Sequence, residues 1–240
     1  GSSRNSRSKS GGKTDFNDNM HMKKIFFAAI LSAFSCAAAL AAGDWANFGR
    51  YAEANKAVSK PPLAVLMGDS ITDAWPKKTP DGFFAKNNIV GRGISGQVTS
   101  QMLARFRRDV LDLKPKYVAI LAGTNDIAQN QGYIAVENIF GNIVSMVEIA
   151  KANGVIPVVC SVLPANKYPW RQEIKPAPLV KKLNEMLKAY CGKNSVKYVD
   201  YYTPMADDKD GLPKKYANDG IHPTPEGYAV MEKILLPELK

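Results

Sequence analysis

The chain has 240 residues and a formal net charge of +10, from 32 lysines and arginines against 22 aspartates and glutamates. Residues 1–42 hold six basic and two acidic residues, which leaves +6 for residues 43–240. Basic clusters such as Arg105, Arg107 and Arg108 stand beside acidic residues at helical spacing, which favours solvated helix faces. Because no recognised nucleic-acid module accompanies the charge, we predict no nucleic-acid partner.

The N-terminal part of the chain is read as leader sequence. Residues 1–21 are polar and patternless, which predicts a cloning-derived segment. Residues 22–42 begin with Met22-Lys23-Lys24, continue with an apolar stretch and end at the small-residue site Ala39-Leu40-Ala41, which predicts a signal peptide. We therefore expect export to the periplasm or the medium, with no stable membrane span after cleavage; a lipoprotein anchor through Cys36 is the alternative.

Short apolar runs alternate with amphipathic segments over residues 43–240. Nearly continuous apolar runs fit strands that are buried on both faces of a parallel sheet; they lie at 63–67, 89–91, 117–122, 155–161 and 196–201. Apolar residues at helical spacing predict helices between these strands, after a helical lead-in; these segments are 44–59, 99–113, 133–153, 178–190 and 225–236. The pattern predicts one domain, a three-layer α/β/α sandwich with a five-stranded parallel sheet.

Cysteine and histidine usage bounds the chemistry of residues 43–240. Cys160 lies late in a predicted strand, and Cys191 ends a predicted helix that returns to the opposite edge of the sheet. We expect their separation to exceed the ~7 Å Cα limit for a disulfide, which predicts two buried thiols. With one histidine and two separated cysteines, we predict no metal site, and we predict no cofactor.

Polar and glycine residues follow four of the five predicted strands. Ser70 comes after the first strand, residues 93–96 after the second, Asn125 after the third and His222 after the fifth. The carboxyl ends of parallel strands meet at one edge of the sheet, so we expect these groups to converge there. Each motif alone fits a turn, a helix start or an N-cap equally well, and it is their combination that favours a site.

These residue types suit acyl transfer to a serine. The hydroxyl of Ser70 is a poor nucleophile until a base takes its proton, and His222 is the one histidine outside the leader. Asp219 stands three residues before His222 and can fix the ring tautomer. Backbone N–H groups of Ser70 and Gly96, together with the Asn125 amide, can bind an oxyanion. We expect glycine at position 96 because it lets the backbone approach without a Cβ.

Four sequence blocks carry a family resemblance: Gly68-Asp69-Ser70-Ile71-Thr72, Gly93-Ile94-Ser95-Gly96, Gly123-Thr124-Asn125-Asp126 and Asp219-Gly220-Ile221-His222-Pro223. They resemble the blocks of the SGNH hydrolases, also called the GDSL esterase/lipase family. The elbow G-x-S-x-G of ordinary α/β-hydrolases is absent around Ser70, since position 72 is threonine. The resemblance implies a flavodoxin-like sheet of order 2-1-3-4-5, a catalytic Ser70 with Asp219 and His222, and oxyanion donors at Gly96 and Asn125.

The substrate is predicted from aromatic and basic residues near the same edge. Trp75, soon after the first block, makes the chain similar to platelet-activating-factor acetylhydrolase-like enzymes and carbohydrate acetylesterases. Trp75 and Trp170 suit stacking on a sugar, and Arg92 or Arg171 could meet an acidic group; the alternative is that both tryptophans cap the core. No long lid is visible, which favours short acyl groups, so we predict an acetylesterase acting on a small-molecule or carbohydrate ester. A lysophospholipase or thioesterase, or a non-catalytic carbohydrate-binding protein, are the alternatives.

Overall fold

The computed structural model of the chain describes residues 1–2, 43–79 and 82–240. Residues 46–240 form one compact unit, and that unit contains all the elements given below. The predicted signal peptide at 22–42 and nearly all of the predicted cloning-derived segment at 1–21 lie outside the described residues.

Five parallel strands form a single sheet. They are β1 (Ala64–Gly68), β2 (Ile89–Gly93), β3 (Tyr117–Leu121), β4 (Ile156–Cys160) and β5 (Lys197–Val199). Their order across the sheet is β2-β1-β3-β4-β5, so the predicted α/β class and strand order are confirmed. Gly68 at the end of β1 is in register with Gly93 of β2 and Leu121 of β3, which aligns these carboxyl ends along one edge.

Helices connect the strands. In chain order they are α1 (Ala52–Lys56), α2 (Ser70–Lys78), α3 (Phe83–Lys86), α4 (Thr99–Asp109), α5 (Thr124–Ile127), α6 (Val136–Ala152), α7 (Pro176–Lys193), α8 (Tyr202–Met205) and α9 (Pro225–Leu235). The predicted lead-in helix shrinks to α1, because Asn47 has a positive φ of 56° that a right-handed helix does not allow. The helix predicted at 99–113 ends at Asp109, and a 3₁₀ turn at Leu111–Leu113 follows it.

Both faces of the sheet are covered by apolar side chains. Val65 and Met67 of β1 pack with the apolar faces of α4, α6 and α7. The alternate residues Ala64 and Leu66 pack on the other face with α2 and α9. This alternation explains why β1 is an unbroken apolar run, since each of its side chains has a helix layer to contact.

The two cysteines outside the leader are buried and unbonded, as predicted. Cys160 belongs to the core on the α2 and α9 face, and Cys191 to the core on the α4, α6 and α7 face. Burial raises the pKa of the Cys160 thiol to about 12, which leaves it protonated and unreactive near neutral pH.

Among the residues that the structure describes, no helix combines the length and the apolar composition that a membrane crossing requires.

Candidate active site

Ser70 lies where β1 turns directly into α2. Asp69 is the N-cap of α2, and its Oδ1 accepts a hydrogen bond from the N–H of Ile71 at 3.0 Å. The first turn of α2 packs closely on the end of β2, since a Cβ on Gly93 would lie 2.2 Å from the backbone nitrogen of Asp73. Glycine at position 93 therefore allows the close approach that fixes Ser70 at the carboxyl edge of the sheet.

A histidine and an aspartate continue from the Ser70 hydroxyl. Ser70 Oγ lies 2.9 Å from Nε2 of His222, and Nδ1 of His222 lies 2.7 Å from Oδ2 of Asp219. The other carboxylate oxygen, Oδ1, accepts from the N–H groups of Ile221 at 2.9 Å and His222 at 2.8 Å. With a proton on Nδ1, the ring can accept the serine proton at Nε2.

The carboxylate of Asp219 is stabilised in its ionised form. Partial burial acts to raise its pKa, but the hydrogen bonds from His222 and Ile221 outweigh burial, so the pKa lies below its ordinary value. Gly220, between Asp219 and Ile221, has a φ of +79° and lets the loop curl so that both N–H groups face the same carboxylate. Asp219 can therefore orient the imidazole and stabilise its protonated form.

One cavity of about 310 Å³ collects most of the predicted site residues. It is lined by residues that follow the carboxyl ends of β1 to β5: Ser70, Ser95, Gly96, Thr124, Asn125, Trp170, Ile221 and His222. The structure thus brings together the predicted hydroxyl, imidazole, glycine, amide and one of the two predicted tryptophans. A carbonyl group in this cavity could contact a nucleophile, a base and several donors at once.

The predicted oxyanion donors differ in how they are held. Asn125 is buried on α5, where its Nδ2 donates to the carbonyl of Gln97 at 3.0 Å and its Oδ1 accepts from Nδ2 of Asn130 at 2.7 Å. One amide N–H then remains for a ligand in the cavity. Gly96 has a φ of +79°, yet a Cβ there would meet no atom within 4 Å. Glycine is therefore favoured at position 96 by the left-handed backbone, and the expectation that it lets the backbone approach an oxyanion stays a prediction.

Trp75 does not lie in the site, so its predicted role in stacking on substrate is wrong. It is 2% exposed, and its ring centroid lies 5.1 Å from that of Tyr228 and 6.0 Å from that of Phe83. Its Nε1 donates to Oε1 of Glu232 at 2.9 Å. The alternative, that Trp75 caps the core, is correct, because α2 turns this ring toward α9.

Trp170 takes the opposite position, on the wall of the cavity. One face of the indole stacks on the ring of Tyr168, with the two ring centroids 5.2 Å apart. The residue is 42% exposed. Its Nε1 donates to Oδ1 of Asn130 at 3.0 Å, which fixes the rotation of the indole. Trp170 can therefore offer a held aromatic face to a ligand.

The two predicted arginines lie outside the cavity lining. Arg92 is buried, donates from Nε to Oδ1 of Asn55 at 2.7 Å and lies over the ring of Tyr51. Burial lowers its pKa, and its contacts attach the α1 segment to β2, so its predicted substrate contact is wrong. Arg171 faces Glu173 at 3.9 Å and is not among the residues that line the cavity.

Arg105 is a buried side chain that bonds to the ends of β1 and β2. Sequence reasoning placed it on a solvated helix face and so missed this role. It is 0% exposed, and its guanidinium donates to Asp109 at 2.9 Å and to Oε1 of Gln97 at 2.6 Å. It also donates to the carbonyls of Gly68 at 3.2 Å and Arg92 at 2.9 Å. Its position four residues before Asp109, on the same helical stripe as the apolar residues of α4, is the signal that could have revealed it.

Two further carboxylates, Asp69 and Asp126, are buried and directly follow or precede cavity-lining residues in the chain. Asp126 accepts from the N–H of Thr99 with both oxygens at 3.0 Å and from its hydroxyl at 2.5 Å, which joins α5 to the start of α4. Burial raises the pKa of Asp126. Burial also raises the pKa of Asp69 to about 6, although the N–H of Ile71 partly opposes this.

Within residues 43–79 and 82–240, no group of three or more histidine, cysteine, aspartate or glutamate side chains is placed to hold a metal ion. The carboxylates of Asp69, Asp126 and Asp219 each accept hydrogen bonds from the protein. That the chemistry needs no metal stays a prediction, and chelation tests it.

Comparison with the sequence models of known families assigns the chain to one of them. The sequence model of the GDSL-like lipase/acylhydrolase family matches residues 66–230, which is well over half of the chain and includes the four blocks. The chain belongs to this family of ester-bond hydrolases. The predicted SGNH, or GDSL, membership is therefore confirmed.

Solved structures agree with this assignment. A protein of Bacteroides fragilis described as an acylhydrolase is 46% identical, with a TM-score of 0.79, and the match covers 82% of this chain and 97% of that one. A GDSL-like lipase of Bacteroides thetaiotaomicron is 45% identical, with a TM-score of 0.78 and coverage of 82% and 98%. A variant of an acetyl-xylooligosaccharide esterase from Geobacillus is 17% identical, with a TM-score of 0.59 and coverage of 76% and 95%. The last comparison shows the fold alone, so the branch within the family stays a prediction.

A curated relative gives a partial match. The protein is named an uncharacterized lipoprotein of Bacillus subtilis and is 35% identical over 80 residues. The match spans 32% of this chain and 33% of that protein.

Proposed function

We propose that this chain is a serine esterase that removes short acyl groups, acetyl above all, from carbohydrate. The observation that carries the proposal is the continuous contact from Ser70 Oγ to His222 at 2.9 Å and from His222 to Asp219 at 2.7 Å. A hydroxyl, an imidazole and a carboxylate in this order are the groups that acyl transfer to serine requires.

In this mechanism Ser70 Oγ attacks the ester carbonyl carbon while Nε2 of His222 takes the hydroxyl proton. The carbonyl oxygen becomes negative and accepts from the N–H groups of Ser70 and Gly96 and from the Asn125 amide. As the tetrahedral intermediate collapses, His222 gives the proton to the departing alkoxide oxygen, which leaves an acyl group on Ser70. Water, deprotonated by His222, then attacks this ester, and the carboxylic acid and the free serine are released.

The size of the cavity favours a short acyl group. Its volume of about 310 Å³ lies at the lower end of the roughly 300–1,000 Å³ that small-molecule pockets span. Each methylene of a longer chain would gain about 0.8 kcal/mol only if an apolar wall removed it from water. The cavity lining contains Ile221 as its single aliphatic residue among the described residues, and Ser70, Ser95 and Thr124 contribute hydroxyl groups.

The ring of Trp170 favours a carbohydrate leaving group. It lines the cavity, is held by Tyr168 and Asn130, and keeps an exposed face. A sugar ring presents C–H groups that pack on such an aromatic face while its hydroxyls stay hydrated. With Trp75 and Arg92 outside the site, Trp170 is the predicted contact that retains this role.

Ester hydrolysis across acyl lengths tests the proposal. Nitrophenyl esters from acetyl to dodecanoyl, acetylated oligosaccharides and a lysolipid are compared for kcat/KM, with Ser70→Ala as the background control. We expect acetyl esters to be hydrolysed best and turnover to fall beyond butyryl. Higher kcat/KM on octanoyl or decanoyl esters, or on the lysolipid, would reject the short-chain assignment in favour of a lysophospholipase or thioesterase.

A matched pair of aromatic variants tests the sugar contact. Trp170→Ala should raise KM for an acetylated oligosaccharide more than for ethyl acetate, since only the sugar reaches the indole face. Tyr133→Ala removes an exposed aromatic side chain that is not in the cavity lining and should leave both substrates unchanged. Equal effects of the two variants, or of Trp170→Ala on both substrates, would remove carbohydrate from the proposal.

We also propose that the chain is exported, which rests on the signal-like pattern of residues 22–42. A relative that is named a lipoprotein supports export of this type of chain. Mass spectrometry of the protein recovered from cells tests it, because cleavage after Ala41 or Ala42 would leave a mature N-terminus close to Gly43.

A further inference from the structure

The orientation of the Asn125 amide is fixed from both ends. Its Nδ2 donates to the carbonyl of Gln97 at 3.0 Å, and its Oδ1 accepts from Asn130 at 2.7 Å. A rotated amide would place Oδ1 against the Gln97 carbonyl and Nδ2 against the N–H groups of Asn130. Both contacts would then be repulsive, so the observed orientation is the one that leaves an N–H for the cavity.

Asn130 is held just as firmly. Its backbone N–H donates to the carbonyl of Asn125 at 3.0 Å, and the residue before it, Gln129, has a φ of +55° that turns the chain back toward α5. Its side chain donates to Asn125 and accepts at Oδ1 from Nε1 of Trp170 at 3.0 Å. Asparagine suits this position because it supplies one donor and one acceptor in a single plane.

The resulting line of hydrogen bonds runs from Trp170 through Asn130 and Asn125 to Gln97. At its far end, Oε1 of Gln97 accepts from the buried Arg105. Both Trp170 and Asn125 line the cavity, whereas Asn130 joins them without being part of the lining. A sugar ring bound against Trp170 therefore contacts one end of the line of hydrogen bonds that orients the amide of Asn125.

We propose that Asn130 is a positioning residue, which aligns the Asn125 amide for the oxyanion and couples that alignment to the ring bound at Trp170. This inference rests on the proposed function, because it assigns Asn130 to the same reaction. Through this coupling, a sugar leaving group that contacts the Trp170 indole stabilises the aligned Asn125 amide, whereas a small alkyl ester does not reach the indole and has no such effect. Asn130 acts through Asn125 and does not touch the reacting atoms.

Three variants separate positioning from a general structural role. Asn130→Ala removes both side-chain bonds and should lower kcat about tenfold, the effect of one net hydrogen bond, with KM for ethyl acetate changed less than about twofold. Asn130→Asp should lower kcat further, because a carboxylate accepts from the Asn125 Nδ2 and favours the rotated amide. Trp170→Phe keeps an aromatic face but removes the donor to Asn130, and it should lower kcat for acetylated oligosaccharide by a smaller factor.

The decisive measurement repeats the Asn130 variants in an Asn125→Ala background, with thermal unfolding to confirm that each protein is folded. If Asn130 acts through Asn125, its replacement should cost less than about twofold in kcat there. Equal losses in both backgrounds, or a change in KM alone, would overturn the proposal, and a wild-type kcat for Trp170→Phe would overturn the coupling to the indole. If Asn130→Ala fails to fold, the Asn130→Asp and Trp170→Phe cycles decide the question.

Failure of the proposal for Asn130 can be distinguished from failure of the proposed esterase function. A wild-type protein that hydrolyses no ester, or a Ser70→Ala variant as active as wild type, would refute the esterase assignment. Failure of the present inference requires instead an active, Ser70-dependent enzyme in which the Asn130 variants show no dependence on Asn125.

Discussion

Asp69, the buried carboxylate next to Ser70, should make the stability of the fold depend on pH. It is 1% exposed, and burial raises its pKa from an ordinary value of 3.8 to about 6. Between these two values the folded protein binds more protons than the unfolded chain, so the free energy of unfolding falls as pH rises. The stabilisation is fully present below about pH 4 and is lost once pH exceeds about 6. The difference of about two pH units corresponds to about 3 kcal/mol.

Asp69→Asn isolates this effect, because an amide oxygen can still accept from the N–H of Ile71 but cannot ionise. Urea unfolding of both proteins from pH 4 to pH 7 gives the stability of the variant relative to wild type. We expect that relative stability to increase by about 2 kcal/mol between pH 4 and pH 7, as ionisation of Asp69 destabilises only the wild type and the unfolded chain is already partly ionised at pH 4. Asp112→Asn, at an exposed carboxylate, serves as the matched control and should give a nearly constant difference.

A difference between Asp69→Asn and wild type that stays constant within about 1 kcal/mol, or that shrinks with rising pH, would refute this reasoning. A constant difference would mean that Asp69 is as well solvated or as well bonded in the folded protein as in the unfolded chain. The conclusion that burial raises the pKa of the carboxyl that caps α2 would then be wrong.

Three further predictions concern the reaction. Ser70→Ala should lower kcat for short esters by at least about 10³-fold with an unchanged urea midpoint, and near-wild-type turnover would exclude Ser70 as the nucleophile. Asp219→Asn places N–H groups opposite Nδ1 of His222 and favours the wrong tautomer. A loss of about 10²–10⁴-fold in kcat is expected, and a loss below about threefold would contradict the role of Asp219. Prolonged dialysis against a chelator should leave esterase activity unchanged, and inactivation that a divalent metal reverses would show that the serine mechanism is incomplete.

The strands could be predicted because each rests on a local apolar pattern, whereas their order was implied by the family resemblance. The apolar run at 63–67 needs two covered faces, and the structure provides one layer of helices for Val65 and another for Leu66. Convergence of Ser70, Asn125 and His222 followed from the parallel sheet alone, since each comes after a carboxyl end. The exact starts of the helices depended on turns such as the one at Asn47, which the sequence pattern does not reveal.

Side-chain direction was harder to predict. Trp75 lies four residues after Ile71 on a helix that begins at Ser70, so both face the core, but this phase is known only once the helix start is known. The prediction that Arg105 lies on a solvated face was wrong for the same reason, because the helix turns this side chain inward together with Phe106. No sequence pattern indicates Asn130, because its proposed role depends on a hydrogen bond from Trp170, which lies forty residues further along the chain.

The candidate site is built in two halves that should respond differently to substitution. Asp69, Gln97, Arg105 and Asn125 are buried, and the Arg105–Asp109 ion pair offsets its desolvation with bonds to two carbonyls and to Gln97. The side chains of His222 and Asp219 are 34% and 47% exposed on a loop. Removing a partner in the buried half leaves charges or amides unsatisfied, so folding and turnover should fall together. Changes in the exposed half have water to replace lost contacts, and they should reduce turnover while the unfolding temperature stays close to wild type.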